Sequence, residues 1–293
     1  MRDSERGVAL LTALVTVTVM SVLALGVART ALTAETLTRH TREALQAEAL
    51  LRSAVTVASV ALERHARSGF PDTLHLAGPR RHHLGDGWVE VEVEDAARRI
   101  DLNAPALRPA LQRLVGGLGL RPELVDTLAD WTDPDDTARR FGAESAWYAL
   151  RPTPLAPTNG PLTNPAHLRF VRGFDADALA RLAPHVTVAG EGTINPNTAG
   201  PVVLGAWVGD PRETRRLLAA RARDVQACGA RPQCTVRSSY YLVHVRAEVG
   251  RIERRATVTL LVPNGLPAGI HAWWPLPTAV ASVQDGGGAE LRL

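Results

Sequence analysis

Twenty consecutive residues, Val8 to Val27, carry no charge. As a helix rising about 1.5 Å per residue they cover roughly 30 Å, the thickness of a bilayer's hydrocarbon core. Seven residues, MRDSERG, precede the run, and no small-residue A-x-A site follows it as a conventional secretory signal requires. Processing is therefore expected ahead of the span. A cut between Gly7 and Val8 would leave the apolar segment on the mature chain as an anchor; the other reading is an uncleaved signal anchor. Arg2 and Arg6 balance Asp3 and Glu5, so the positive-inside rule does not orient the segment.

From Ala28 to about Arg67 there is no Pro or Gly, and Ala47, Leu51, Ala54, Ala58 and Ala61 recur at four- and three-residue steps. Such spacing places them on one helical face, widened by Val55 and Leu62, with Arg52, Glu63 and Arg64 off it. Gly69 and Pro71 end the segment. A continuous helix of about sixty residues, roughly 90 Å long, is predicted to leave the membrane and lay one side on a folded domain.

The 293 residues are 45% hydrophobic and 22% charged, with a formal charge of +3, which leaves material for one large or two modest domains and implies no polyanion partner. All the basic residues that set the pI near 9.4 are Arg, and they form no concentrated patch in the sequence. Cys228 and Cys234 enclose Gly229 and Pro232, a spacing that a tight loop can close and that common zinc sites do not use. A local disulfide follows if the chain beyond the span is exported to an oxidising compartment; two free thiols would require the opposite topology.

Val89, Val91 and Val93 alternate with Glu90, Glu92 and Glu94, the pattern of a half-buried strand. Tyr241, Val243, Val245, Ala247 and Val249 alternate likewise, and Gly250-Arg251 permits a tight turn into Ala256, Val258, Leu260 and Val262. Between these strands lies a helical stretch punctuated by Gly116-Gly117, Pro122, Pro165, Gly173 and Pro184. The expected architecture is α+β: a long N-terminal transmembrane helix on a small antiparallel sheet, with a large α-helical subdomain inserted. The expected boundaries are a leader at 1–7, the span at 8–27, an α/β domain at 28–103 and 186–262, and the helical insertion at 104–185. The remaining 263–293 reads as a loosely ordered tail in which Trp273-Trp274 would cover an apolar patch.

Asp130, Asp133, Asp135 and Asp136 put four carboxylates into seven residues, with Glu144 eight further on and Pro134 barring a regular helix through them. Like charges at this density must be solvated, cross-linked by Arg139 and Arg140, or bound to a hard cation that favours oxygen ligands, chiefly calcium. The spacing is not that of an EF-hand. An acid/base carboxylate pair is a further reading, but no companion nucleophile is identified. His82-His83 has no partner at metal-ligand spacing and is read as a solvated loop.

Arg6-Gly7 followed at once by the apolar run resembles the class III leader of type IV pilins and type II secretion pseudopilins, which prepilin peptidase cuts after the glycine. Most members of that family carry Glu at the fifth mature position, here Thr12; the minor pseudopilin K is known for an uncharged residue there. RRIDLNAP (Arg98 to Pro105), VDTLADWTDPDD with GAESAWY, PTNGPL (Pro157 to Leu162), Leu168 to Val188, TINPNTAGPVVL (Thr193 to Leu204) and SSYYLVHVRAEV (Ser238 to Val249) resemble, in this order, the body of the type II secretion minor pseudopilin K family. The resemblance covers most of Arg6 to Val262. It implies a non-enzymatic inner-membrane subunit with its bulk in the periplasm, at the tip of the pseudopilus with minor pseudopilins I and J. It also implies contact with the major pseudopilin, prepilin peptidase and exported cargo proteins, and calcium in the inserted domain on Asp130, Asp133, Asp135, Asp136 and Glu144. TINPNTAGPVVL and VRGF also resemble helix-hairpin-helix elements, which offer backbone N–H groups to DNA phosphate. On that rival reading the chain is an anchored DNA-binding protein of a competence-like uptake system, but a basic rim is needed, and the acidic cluster opposes it, so no nucleic acid is expected.

Overall fold

The computed structural model describes residues 2–71, 78–263, 266–275 and 279–280, and for 2–10, 12, 275, 279 and 280 the backbone alone. Helix α1 runs over Arg2–Ser68 and ends where Gly69 takes a positive φ of 76°. Among the described residues its apolar N-terminal half is exposed: Leu14, Met20 and Val22 are each more than half exposed. One helix of this length and composition fits a single-pass membrane anchor. The hydroxyls of Thr18 and Ser21 donate back to the carbonyls of Leu14 and Val17, so their polar groups are satisfied without water.

The C-terminal half of α1 is amphipathic and buries Leu51, Ala54, Val55, Ala58 and Leu62 against one face of an antiparallel sheet. Ala61 of the expected stripe faces outward, and Leu62 takes its place. The sheet has the order β1-β2-β5-β6-β7, with β1 at Arg80–Leu84, β2 at Gly87–Asp95, β5 at Tyr240–Val249, β6 at Ile252–Leu261 and β7 at Gly269–Pro275. Tyr241, Val243, Val245 and Ala247 face the helix because side chains alternate along a strand, and Val258 and Leu260 of β6 join them. On the other face the charges pair: Arg246 with Glu253, and Glu94 with Arg98 and Arg99, while His244 Nε2 lies 3.4 Å from Glu94.

Two expectations are corrected. The segment after 262 is not uniformly loose: β7 pairs with β6, and a short β8 (Ala279–Val280) pairs with its other end. Trp273 packs on the sheet core and Trp274 on the helical core; residues 281–293 lie outside the described chain. Strand β1 was not expected either, and it carries His82 and His83 as an exposed edge rather than a loop. All five of its side chains are exposed, so RRHHL has no apolar alternation to betray it.

The insertion leaves β2 at Asp95 and returns at Tyr240. It contains β3 (Ile100–Asp101), α2 (Arg108–Gly117), α3 (Glu123–Thr132), α4 (Ser145–Ala149), a 3-10 turn at Pro165–Phe170, α5 (Ala176–Leu182), β4 (Val186–Thr187), α6 (Pro201–Val208) and α7 (Pro211–Arg221). β3 and β4 pair in parallel and close this body on itself. Its core joins Ile100, Leu107, Leu114, Leu128, Trp131 and Tyr148 to Val186, Val203 and Leu204. The helical body therefore continues well past the expected end at 185, because α6 supplies apolar residues to the same core rather than to the sheet.

Register places this body relative to the anchor. Glu43 of α1 lies against the turn at Gly250, whereas Arg237, just before β5, donates to the carbonyl of Ala66. β5 thus starts beside the C-terminal end of α1 and finishes nearer the membrane segment. Asp95 pairs with Tyr241 in the sheet, so both ends of the insertion leave the end of the sheet farthest from the apolar span.

Candidate metal site

Helix α3 stops at Thr132, and Pro134, lacking an N–H, cannot extend it. The loop that follows is held by Arg139. Its Nη1 donates to Oδ1 of Asp130 at 2.6 Å and to Asp133, while its backbone N–H donates to Oδ2 of Asp130 at 3.1 Å. Asp130 is fully buried, so this pairing is what permits the charge there. The bonds to Asp130, against the opposing desolvation, and the pairing with Asp133 hold the guanidinium firmly protonated.

Glu144 opens α4 from the other side of the loop. Asp133, Asp135 and Glu144 each present an oxygen to one point, all within 4.8 Å of one another. Glu144 is 5% exposed, and neither of its carboxylate oxygens has a hydrogen-bond partner; Oδ1 of Asp133 has none either. Burial first, and then the negative charges of Asp130, Asp133, Asp136 and Asp135, push Glu144 up to about 7. Buried carboxylate oxygens without donors are costly. This arrangement can take up a proton or a hard cation, and the all-oxygen donors at a kinked, irregular loop suit calcium.

Three of the five expected ligands converge. Asp130 is engaged by Arg139, and Asp136 uses Oδ1 to accept the Ser145 N–H at 3.2 Å. Arg140 does not neutralise the cluster but stacks on Phe141. A cavity of about 40 Å³ beside α2 and α3, lined by Asp101, Leu107, Val125 and Leu128 and by none of these carboxylates, is too small for a substrate.

A second polar constellation, unforeseen from sequence, ties the helical body to the sheet. Asp95, fully buried, caps the turn at Ala96–Arg98 through the Ala97 N–H and accepts from Asn195 Nδ2 at 2.9 Å and Thr198 Oγ1 at 2.7 Å. Within TINPNTAG the Ile194 N–H donates to Gln233, that of Asn195 to Ala97, and those of Thr198 and Ala199 to the Asn195 carbonyl. With these amides already bonded, the hairpin has fewer to offer phosphate, which weakens the DNA-binding reading. Cys228 and Cys234 are bonded, with Cα atoms 5.5 Å apart, and their loop clips onto this hairpin through Gln233 and through the Thr235 N–H to the Ile194 carbonyl. Gly7 and Val8 lie within the backbone of α1.

Residues 92–191 match the family model described as type II secretion system (T2SS), protein K. The type II secretion system protein K of Klebsiella pneumoniae is 31% identical over 251 residues, covering 76% of this chain and 77% of that protein. The chain belongs to the type II secretion system protein K family. The protein K of Pseudomonas aeruginosa is 28% identical over 256 residues, covering 76% and 74%. In fold the chain is similar to a chain in the crystal structure of the GspK-GspI-GspJ complex from the enterotoxigenic Escherichia coli type 2 secretion system. The TM-score there is 0.66 at 23% identity, over 84% of this chain and 99% of that one. Membership makes the chain a minor pseudopilin, a structural component of the secretion machinery, with α1 as its pilin-like helix.

Proposed function

We propose that the chain caps the pseudopilus in a complex with the I and J minor pseudopilins, anchored in the inner membrane by α1 with the rest in the periplasm and no enzymatic activity of its own. One observation carries this reading: the helical body leaves the end of the sheet farthest from the apolar span, where it would obstruct the next subunit in a stack. The likeness to a chain solved with I and J subunits supports the choice of partners. Thr12 supports the capping position, because the glutamate that pilin-like subunits use to meet a neighbour's amino terminus inside the membrane is not there. Gly7 and Val8 are the cleavage site for prepilin peptidase, and Asp133, Asp135 and Glu144 hold calcium, with Asp136 beside them. The ion would screen their mutual repulsion and tie the end of α3 to the start of α4. The major pseudopilin would lie below the tip, and exported proteins would meet its exposed end.

Coexpression of the tagged full chain with the I and J subunits of the same system, followed by purification in detergent, tests the assembly. Both subunits are expected in the eluate. Recovery of neither, or labelling of the chain at regular intervals along isolated pseudopili, would contradict the tip position. N-terminal sequencing from cells with active prepilin peptidase should read Val8 first, and Gly7→Val should leave the precursor uncut.

A further inference from the structure

Around α4 the helical body carries a surface that neither the cation site nor the sheet uses. Between 137 and 172 five arginines accompany a single carboxylate, Glu144. Arg139 is committed to Asp130 and Asp133, but among the described residues Arg140, Arg151, Arg169 and Arg172 are exposed and pair with no carboxylate. They lie on aromatic rings instead. Arg151 and Arg172 stand 4.7 and 5.0 Å from the centre of the Trp147 ring, and Arg140 stands 5.1 Å from that of Phe141. Arg172 also donates to the Gly142 carbonyl, which joins the Trp147 and Phe141 halves into one patch. Leu150, next to Arg151, is 87% exposed, and Phe141 is 45% exposed. Arg169 on Phe170 extends the patch along the same 3-10 turn that delivers Arg172.

We propose that this patch is a docking surface for another protein, and that the segment it takes is acidic with an apolar side chain between its carboxylates. Unpaired guanidinium groups supply the complementary charge, and an aromatic and Arg-rich centre is what protein interfaces enrich. Leu150 supplies the apolar anchor. Single-stranded nucleic acid fits less well, because it would stack bases on open ring faces and those of Trp147 are covered by two guanidinium groups.

The test uses the full chain in non-ionic detergent and a fluorescein-labelled peptide of alternating glutamate and leucine, read by anisotropy at low and high salt. Controls are the same peptide with glutamine for glutamate, and a labelled oligothymidine. The acidic peptide should bind and weaken with salt, the glutamine peptide should bind about tenfold less tightly, and Arg151→Glu, Arg169→Glu and Leu150→Ser should each cost about tenfold with unchanged melting temperature. Absence of peptide binding overturns the proposal, as does binding indifferent to the three substitutions. Tighter binding of the oligothymidine lost in the same variants would reassign the surface to nucleic acid, and concentration-dependent self-association abolished by Leu150→Ser would reassign it to a second copy of this chain.

Discussion

A Cβ on Gly142 would stand 1.7 Å from Oδ2 of Asp130, so the acidic loop closes over that carboxylate only because residue 142 has no side chain. Asp130 cannot step aside, since it is fully buried and bonded to both the side chain and the backbone of Arg139. Gly142→Ala is therefore expected to break that pairing and cost roughly 3 kcal/mol, in the range for disrupting a buried ion pair. Gly116→Ala, in α2 where a Cβ meets nothing within 4 Å, is the control and should be neutral or stabilising by about 0.5–1 kcal/mol. Thermal melts of the two variants beside the parent decide it; similar melting temperatures for both would refute the close-approach argument.

Asp95 supports the second prediction. Asp95→Ala would leave Asn195 and Thr198 without their buried acceptor and uncap the turn that starts the insertion, a loss of roughly 3 kcal/mol or more. Hydrogen exchange should then rise at the amides of 193–199 while those of β5 and β6 stay protected. Equal loosening of both regions would mean that Asp95 supports the whole fold and not the junction.

The contrast between these two sites explains what could be read in advance. The long helix, β2 and the β5-β6 hairpin each announce themselves by period, and the acidic loop by charge density, because burial on one side leaves a regular pattern in the sequence. Asp95 is merely the last acidic residue of an alternating strand, and its partners lie about a hundred positions away, where only the fold brings them. β1 is hidden because an edge strand with every side chain exposed has no alternation. That Asp130 and Asp136 fall outside the converging group depended on their bonds to Arg139 and to the Ser145 N–H, which spacing does not determine.

The disulfide loop gives a third expectation. Six residues of separation close a short loop, so the chain-entropy contribution is only about 2 kcal/mol. Its consequence should be local: Cys234→Ser or reduction is expected to loosen 225–235 and the Ile194 hydrogen bonds that the loop makes, lowering the melting temperature by a few degrees. Limited proteolysis with and without reductant would reveal cleavage confined to that loop. Uniform fragmentation of the helical body would show that the bridge carries more of the fold than its geometry implies.

Glu144 supplies the fourth, through its raised pKa. In the unfolded chain its carboxyl ionises near the ordinary 4.5, whereas in the folded chain it keeps its proton up to about 7. The folded state therefore binds more protons across that window. Stability from this group is complete below 4.5 and is lost as pH rises through 7. That decline is expected in chelator. Calcium reverses the balance, because the cation takes the place of the proton and favours the ionised form; at a hundredfold over its Kd it should add about 2.7 kcal/mol above neutral pH and flatten the curve. Magnesium should do this poorly, since it demands tight octahedral geometry and gives up water reluctantly. Glu144→Gln, which cannot ionise, should abolish the decline in chelator and most of the calcium response, and Asp135→Ala should remove the calcium response while leaving Glu144 to titrate. Melting temperatures of the full chain in detergent across pH, in calcium, magnesium and chelator, separate the outcomes. Coincident curves in the three media would refute the cation site, and a flat chelator curve would mean that the buried carboxyl finds a donor in the folded protein.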